Sequence, residues 1–227
     1  MAPLLTIRID NTMPWTTVGV DYLGPLNSLH DCIKTEIIKN WTHPSSRKIW
    51  LVLFTCFRTR AIHLEIARSC ATVDFLEAFR RFVGHCGRPL KFYSDNATNF
   101  KKANAHLKKL FANVKFDKIK KEKFKGDCPI QWELSKPEGP WTNGVTERII
   151  GIFKRQFRIA AQKSKLTMRQ IETLIIELIS IINDRPLGSI DQDPTASSAI
   201  TPNLLIHGRQ KGQIITPKEL VLSTLPY

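Results

Sequence analysis

The sequence predicts an α/β unit built as a mixed sheet flanked by helices, and three observations point there. Ile49 to Phe57 is a continuously apolar run bounded by charge, which suits a central strand buried on both faces. Residues 72–86 and 168–183 repeat apolar side chains at helical spacing. The segments follow one another as β-β-β-α-β-α-β-α-α, an alternation that suits helices packed on a sheet rather than an all-helical or all-strand fold. At 227 residues, 42% of them hydrophobic, the chain is long enough to bury a core without disulfide or metal staples.

Taken in order, residues 1–14 read as an extended lead-in. Thr16 to Leu23 is β-rich, with Val18, Val20 and Tyr22 alternating with Gly19, Asp21 and Leu23, and Gly24-Pro25 is expected to end it. Asn27 to Ser46 is a polar insertion. The apolar run 49–57 turns through Arg58-Thr59-Arg60 into Ala61 to Ile66, a hairpin. Thr72 to Cys86 forms a helix with Phe75, Ala78, Phe79, Phe82, Val83 and Cys86 on one stripe and Gly87 just past its end. Leu90 to Tyr93 is a short strand, Asn99 to Phe111 a helix, and Ile130 to Leu134 a further strand. A Pro/Gly loop, 136–142, leads into a long helix from about Asn143 to Lys163. The last helix, Met168 to Asn183, turns Ile171, Leu174, Ile175, Leu178, Ile179 and Ile182 inward. From Ser189 the sequence is polar and carries Pro194, Pro202, Pro217 and Pro226, which reads as irregular structure.

The chain is strongly basic, with 34 Lys+Arg against 20 Asp+Glu and a formal charge of +14. Residues 101–125 carry +8 and residues 146–169 carry +6, so these two runs hold the whole excess and the remainder is balanced. Charge gathered in this way favours a polyanionic, phosphate-tracking surface. Five cysteines (32, 56, 70, 86, 128) without a CxxC pair argue against a disulfide framework or zinc ribbon and for free thiols in a reducing compartment. The apolar start is too short for a signal peptide, and the nine residues 49–57 are too few to span a bilayer. A soluble, intracellular-type chain is the expectation.

Three acidic residues sit at strand ends or helix starts. Asp21 lies on the first strand among apolar neighbours, where an unpaired carboxylate is costly unless a cation or donor meets it. Asp95 ends a strand and opens the polar run Asn96-Ala97-Thr98-Asn99. Glu147 begins the long helix, on which Glu147, Gly151, Lys154 and Arg158 share one face. Each also has an ordinary local role: backbone hydrogen bonding for Asp21, a turn or N-cap for Asp95, and a favourable helix N-terminus for Glu147. Spacing alone leaves both readings open.

The ordered set VGVDYLGPL (18–26), IWLVLFTCFRTRAIHLEI (49–66), FYSDNATNF (92–100), IQWELSKPEGPWTNGVTERIIGIFK (130–154), INDRPL (182–187) and TPNLLIHGR (201–209) resembles the retroviral-type integrase catalytic core, specifically that of Bel/Pao LTR retrotransposons. The resemblance spans roughly residues 14 to 210. It implies a ribonuclease H-like fold, with residues 15–188 as the catalytic core and 189–227 as a C-terminal extension. It places Asp21, Asp95 and Glu147 on the Asp-Asp-Glu triad as catalytic residues and metal ligands. Asn96, Thr98, Asn143, Arg148, Lys154, Arg155 and Arg158 are the residues expected against DNA. Ala97 stands where relatives commonly carry Gly, and PWTNGVTE where they often have an aromatic followed by Gly-Gly. The paired-His, paired-Cys zinc module that precedes the core in relatives is not in the sequence, and the six His lack its spacing.

The implied activity is DNA integration: an endonuclease and strand transferase that processes retroelement ends and joins them to target DNA. Both steps are in-line displacements at phosphorus. Two Mg²⁺ (or Mn²⁺) ions roughly 3.5–4 Å apart suit them, and carboxylates with water and phosphate oxygens are the natural ligands of such hard cations. The expected partners are element DNA ends, target DNA and further copies of the chain, with no membrane and no small-molecule substrate. The expected location is the nucleus, after cytoplasmic passage. Two other readings share these features: a ribonuclease H-type nuclease, and a decayed or domesticated core that only binds DNA.

Overall fold

The computed structural model describes residues 13–29, 47–113, 130–134, 144–162, 165–189 and 199–208. Five strands, β1 (Thr17–Ser28), β2 (Arg47–Cys56), β3 (Ile62–Ala67), β4 (Lys91–Ser94) and β5 (Gln131–Leu134), form one sheet in the order β3-β2-β1-β4-β5. β1, β2 and β3 pair antiparallel, whereas β4 and β5 join parallel to β1. Helices α1 (Thr72–Cys86) and α2 (Thr98–Asn113) pack on one face of the sheet. Helices α3 (Gly144–Ala161) and α4 (Met168–Asn183) pack on the other. This is the mixed, helix-flanked sheet that the sequence predicts.

Each face has its own core, and β2 serves both. Val52, Phe54 and Cys56 join Val18, Val20, Phe75, Phe82 and Phe92 under α1 and α2. Ile49, Leu51 and Leu53 join Leu23, Ile149, Phe153, Leu174 and Leu178 under α3 and α4. The period-two alternation of side chains divides an unbroken apolar run between two layers. The aromatic density differs between them: Phe54 stacks on Phe82 at 4.2 Å, and Phe92 meets Trp132 at 5.0 Å, both on the α1/α2 side. Such pairs favour one arrangement of the core beyond what area burial alone selects.

Two expectations are corrected. Gly24-Pro25 does not end the first strand. β1 runs on to Ser28 through a register shift between Leu23 and Leu26, with a cis Gly24–Pro25 bond and Gly24 at φ 132°. A bulge is where a strand tolerates a residue without an N–H. The stretch after Ser189 is also not wholly irregular. Gly188–Ser189 pairs with Ala199–Ile200, and Pro202–His207 forms a short helix, α5. Thr201 caps α5 by accepting from the Leu204 N–H, Gly208 closes it at φ 67°, and Pro202 occupies its first turn. The signals were those of an ordinary helix start and stop, masked by counting prolines. Most of the insertion 27–46, the loop 136–142 and residues 209–227 lie outside the described residues.

The INDRPL segment ties α4 to the edge of the sheet. The buried Asn183 amide accepts from the Ile62 N–H (2.8 Å) and donates to the Ile62 carbonyl (2.9 Å). Arg185 donates to the carbonyls of Ile182 and Arg60, each at 2.6 Å, across the β2–β3 turn. Asn203 of α5 donates to Asp184 Oδ1 at 2.7 Å. Replacing Asn183 by Ala leaves two buried backbone groups without partners, so Asn183→Ala should cost about 2–4 kcal/mol, read as a lowered urea midpoint at unchanged m-value.

Candidate active site

The two aspartates are brought together by strand register. The parallel pairing of β1 with β4 runs Thr17↔Lys91, Val18↔Phe92 and Gly19↔Tyr93. Asp21 and Asp95 both lie two residues beyond the last of these pairs: Asp95 just past the carboxyl end of β4, and Asp21 within β1, opposite Leu53 of β2, where the pairing with β4 has ended. In open α/β sheets the carboxyl end of the parallel strands is where the helices leave a crevice for ligands. Asp21 is half-buried, and its Oδ1 accepts the Tyr22 N–H at 2.7 Å. Asp95 is also half-buried, and its Oδ1 accepts the Ala97 N–H at 3.0 Å, the turn that starts α2. The local roles named for these residues are therefore present, and each uses one carboxylate oxygen.

Glu147 arrives from the other side of the chain, in the first turn of α3. Its neighbours Thr146 and Ile149 are buried, and Phe153 follows on the same inward face, so Glu147, Arg148, Gly151, Lys154, Arg155 and Arg158 are left exposed. The amphipathic division of α3 decides which residues can meet a ligand.

These carboxylates share one electrostatic field. Burial pushes the Asp21 carboxyl above its ordinary value. The Tyr22 N–H bond opposes this, the negative charges of Asp95 and Glu147 add to the rise, and the Lys154 ammonium lowers it. Three other residues singled out in the sequence, Asp95, Glu147 and Lys154, thus each act on Asp21. Asn96 and Thr98 are exposed at the start of α2, next to Asp95. Arg148 and Arg155 form a stripe beside that of Glu147, Lys154 and Arg158. Asn143 lies outside the described residues, as do residues 114–125 of the first lysine run. Sequence reading gave no role to Gly19 of β1, Phe57 after β2 or Thr146 of α3, which approach one another closely. A glycine inside an apolar strand was the available signal.

Among the described residues no three His, Cys, Asp or Glu side chains stand close enough to cage a metal by themselves. Mg²⁺ does not ask for that. It keeps several waters and is commonly held by one or two carboxylates together with substrate phosphates. The donor set here is all hard oxygen, and the like charges raising Asp21 are what a bound divalent cation would relieve. The donor chemistry of Asp21, Asp95 and Glu147 fits such an ion.

Two predictions follow from this geometry. The folded state binds the Asp21 proton more tightly than the unfolded chain, so Asp21 favours folding below the ordinary carboxylate range and loses that contribution as pH rises through its raised value. Asp21→Asn retains the acceptor for Tyr22, so without metal it should melt higher than wild type at neutral pH, with the gain gone near about pH 3. Melting curves in chelator at both pH values check the sign. Gly151 is the second case: it lies inside an 18-residue helix, and a Cβ there would meet nothing within 4 Å. Gly151→Ala should stabilise the fold by about 1 kcal/mol in urea titrations, since the helix gains a better former without a clash.

No protein-family model and no curated protein sequence matches the chain. Solved structures do. The catalytic core domain of HTLV-2 integrase in complex with magnesium, in its trimeric form, aligns at TM-score 0.51 and 14% identity over 86% of this chain and 98% of that one. Its dimeric form aligns at 0.52 and 13% over 87% and 99%. A chain of the simian T-cell lymphotropic virus intasome, solved with PP2A regulatory subunit B56 gamma, aligns at 0.52 and 14% over 90% of this chain and 60% of that one. The described chain therefore has the ribonuclease H-like fold of a retroviral integrase catalytic core.

Proposed function

We propose that the protein is a divalent-metal-dependent polynucleotidyl transferase acting on DNA, an integrase core of the Bel/Pao retrotransposon type that processes element ends and joins them to target DNA. The observation that carries this reading is that the charges of Asp95, Glu147 and Lys154 all act on Asp21, beside the parallel pairing of β1 with β4. The integrase-core fold supports it, as does the concentration of the net positive charge in and around α2 and α3.

In this reading Asp21, Asp95 and Glu147 hold the metal and act as the catalytic residues. A bound Mg²⁺ or Mn²⁺ pair would supply activation of water or a 3′-hydroxyl and neutralisation of charge at phosphorus. Asp21 and Asp95 are pre-oriented by the Tyr22 and Ala97 N–H groups, which leaves their second oxygens for that purpose. Lys154 and Arg158 hold phosphates beside the carboxylates, with Arg148 and Arg155 along the adjacent stripe. Gly151 lets the DNA backbone approach the helix between them. Asn96 and Thr98 contact DNA from the start of α2, and Asn143 from the segment before α3. Paired insertion of two ends requires copies of the chain working together, and the activity places the protein in the nucleus after passage through the cytoplasm.

The test is nicking of duplex DNA ends with Mg²⁺, beside an RNA–DNA hybrid as alternative substrate. Wild type should nick DNA, and Asp95→Asn, which keeps shape and removes one charge, should lower the rate by about a hundredfold or more while leaving the metal-free fold at least as stable. Mg²⁺ should raise the wild-type Tm through binding to the folded state, and that increment should shrink in the variant. Nicking retained in Asp95→Asn refutes the triad. Preferential cutting of the hybrid turns the reading to a ribonuclease H, and DNA binding without cutting turns it to a non-catalytic core.

A further inference from the structure

Gly19 lies where the three acid-bearing elements meet. In β1 it pairs with Thr55 of β2 on one side and Tyr93 of β4 on the other. It is two residues before Asp21, and Tyr93 is two residues before Asp95. A Cβ built on Gly19 would stand 2.6 Å from Phe57 Cε1, 3.1 Å from Phe57 Cζ and 3.0 Å from Thr146 Oγ1. Thr146 directly precedes Glu147. A side chain there would have to displace one or the other: Thr146 belongs to the helix that carries Glu147, and Phe57, in the turn after β2, stacks on Tyr93 of the strand that leads to Asp95.

The neighbours have little room to yield. The buried Phe57 ring stacks on Tyr93 at 5.3 Å and 28°, and its backbone is tied to β1 by the Phe57 N–H donating to the Thr17 carbonyl at 3.0 Å. Thr146 is 3% exposed, packed under the first turn of α3. Nor does backbone conformation call for glycine: the positive-φ glycines among the described residues are 24, 87 and 208. Inside a strand a glycine forfeits packing and raises the entropy lost on folding. Space is the remaining reason for it here.

We propose that Gly19 is a positioning residue: its missing side chain lets the Phe57–Tyr93 stack and the first turn of α3 close on β1, and this sets the separation of Glu147 from Asp21 and Asp95. The inference rests on the carboxylate site proposed above. It predicts an effect on metal binding and turnover from a methyl group that touches neither metal nor DNA.

The experiment compares wild type, Gly19→Ala and Gly19→Ala/Phe57→Leu, the last removing the Cε1 and Cζ atoms that the new methyl would meet. Gly19→Ala should lower kcat for Mg²⁺-dependent nicking by about tenfold or more, with KM for DNA unchanged within about twofold, because misplacing a reacting group is costly out of proportion to the distance moved. It should also raise by about tenfold the Mg²⁺ concentration that gives a half-maximal Tm increment. The double variant should regain most of both. A purely structural glycine would instead lower the metal-free Tm and leave kcat and the Mg²⁺ response alone. If Gly19→Ala does not fold, Thr146→Leu presses the same junction from the helix side and should show the same two losses. Wild-type kcat and Mg²⁺ response in whichever single variant folds, or a double variant no better than a folded Gly19→Ala, overturns the positioning role. A wild-type chain with neither nicking nor Mg²⁺ increment overturns the function together with the inference, whereas an active wild type matched by the variant overturns the inference alone.

Discussion

The parallel pairing of β1 with β4 is the constraint on which the rest depends. Among the described residues β1 is the strand that joins both halves of the sheet: its antiparallel side carries β2 and β3, and its parallel side carries β4 and β5. The register Gly19↔Tyr93 sets Asp21, still within β1, level with Asp95, just past the end of β4. A slip of one residue in a strand turns every side chain to the opposite face. Asp21 would then point under α1 and α2, into the aromatic cluster around Phe75 and Phe92. The buried alternation of Val18, Val20 and Tyr22 against that cluster makes such a slip costly, so the packing of one face fixes the chemistry of the other.

The same economy appears in the helices. α3 buries Ile149 and Phe153 against the second core and presents Glu147, Gly151, Lys154 and Arg158 outward. α4, by contrast, is mainly a scaffold. Its capping box at Thr167 and Gln170 fixes its start, and Asn183 with Arg185 fixes its end against β3 and the β2–β3 turn. The polar INDRPL segment thus serves the sheet edge. Its hydrogen bonds are spent on backbone groups that would otherwise be buried without partners.

The site carries an electrostatic penalty in the absence of a cation. Burial and two neighbouring carboxylates all push Asp21 toward its neutral form, against one backbone N–H and one lysine. Stability lost at such a position is recovered when a ligand of opposite charge binds the folded state. Among the described residues, Lys101 and Lys102 of α2 and Arg148, Lys154, Arg155 and Arg158 of α3 are exposed, and Lys154 acts on Asp21.

Much of this was legible in the sequence. The run 49–57 announced a strand buried on both faces, the stripes of α1 and α4 announced amphipathic helices, and the side-chain period of α3 placed Glu147, Lys154 and Arg158 together. These are local properties, set by 2- and 3.6-residue periodicity. What spacing could not decide was convergence. Asp21 and Asp95 are 74 residues apart, Asp95 and Glu147 a further 52, and it is the β1–β4 register and the packing of α3 that bring the charges of Asp95 and Glu147 to act on Asp21. Gly24-Pro25 misled because a breaker can sit inside a strand once a bulge takes it, and the prolines after Ser189 hid α5 because Pro202 stands where a helix tolerates it. Gly19 is the sharpest case. In sequence it is a small residue in a β-rich run, and only the approach of Phe57 and Thr146 from distant segments shows what a side chain there would displace.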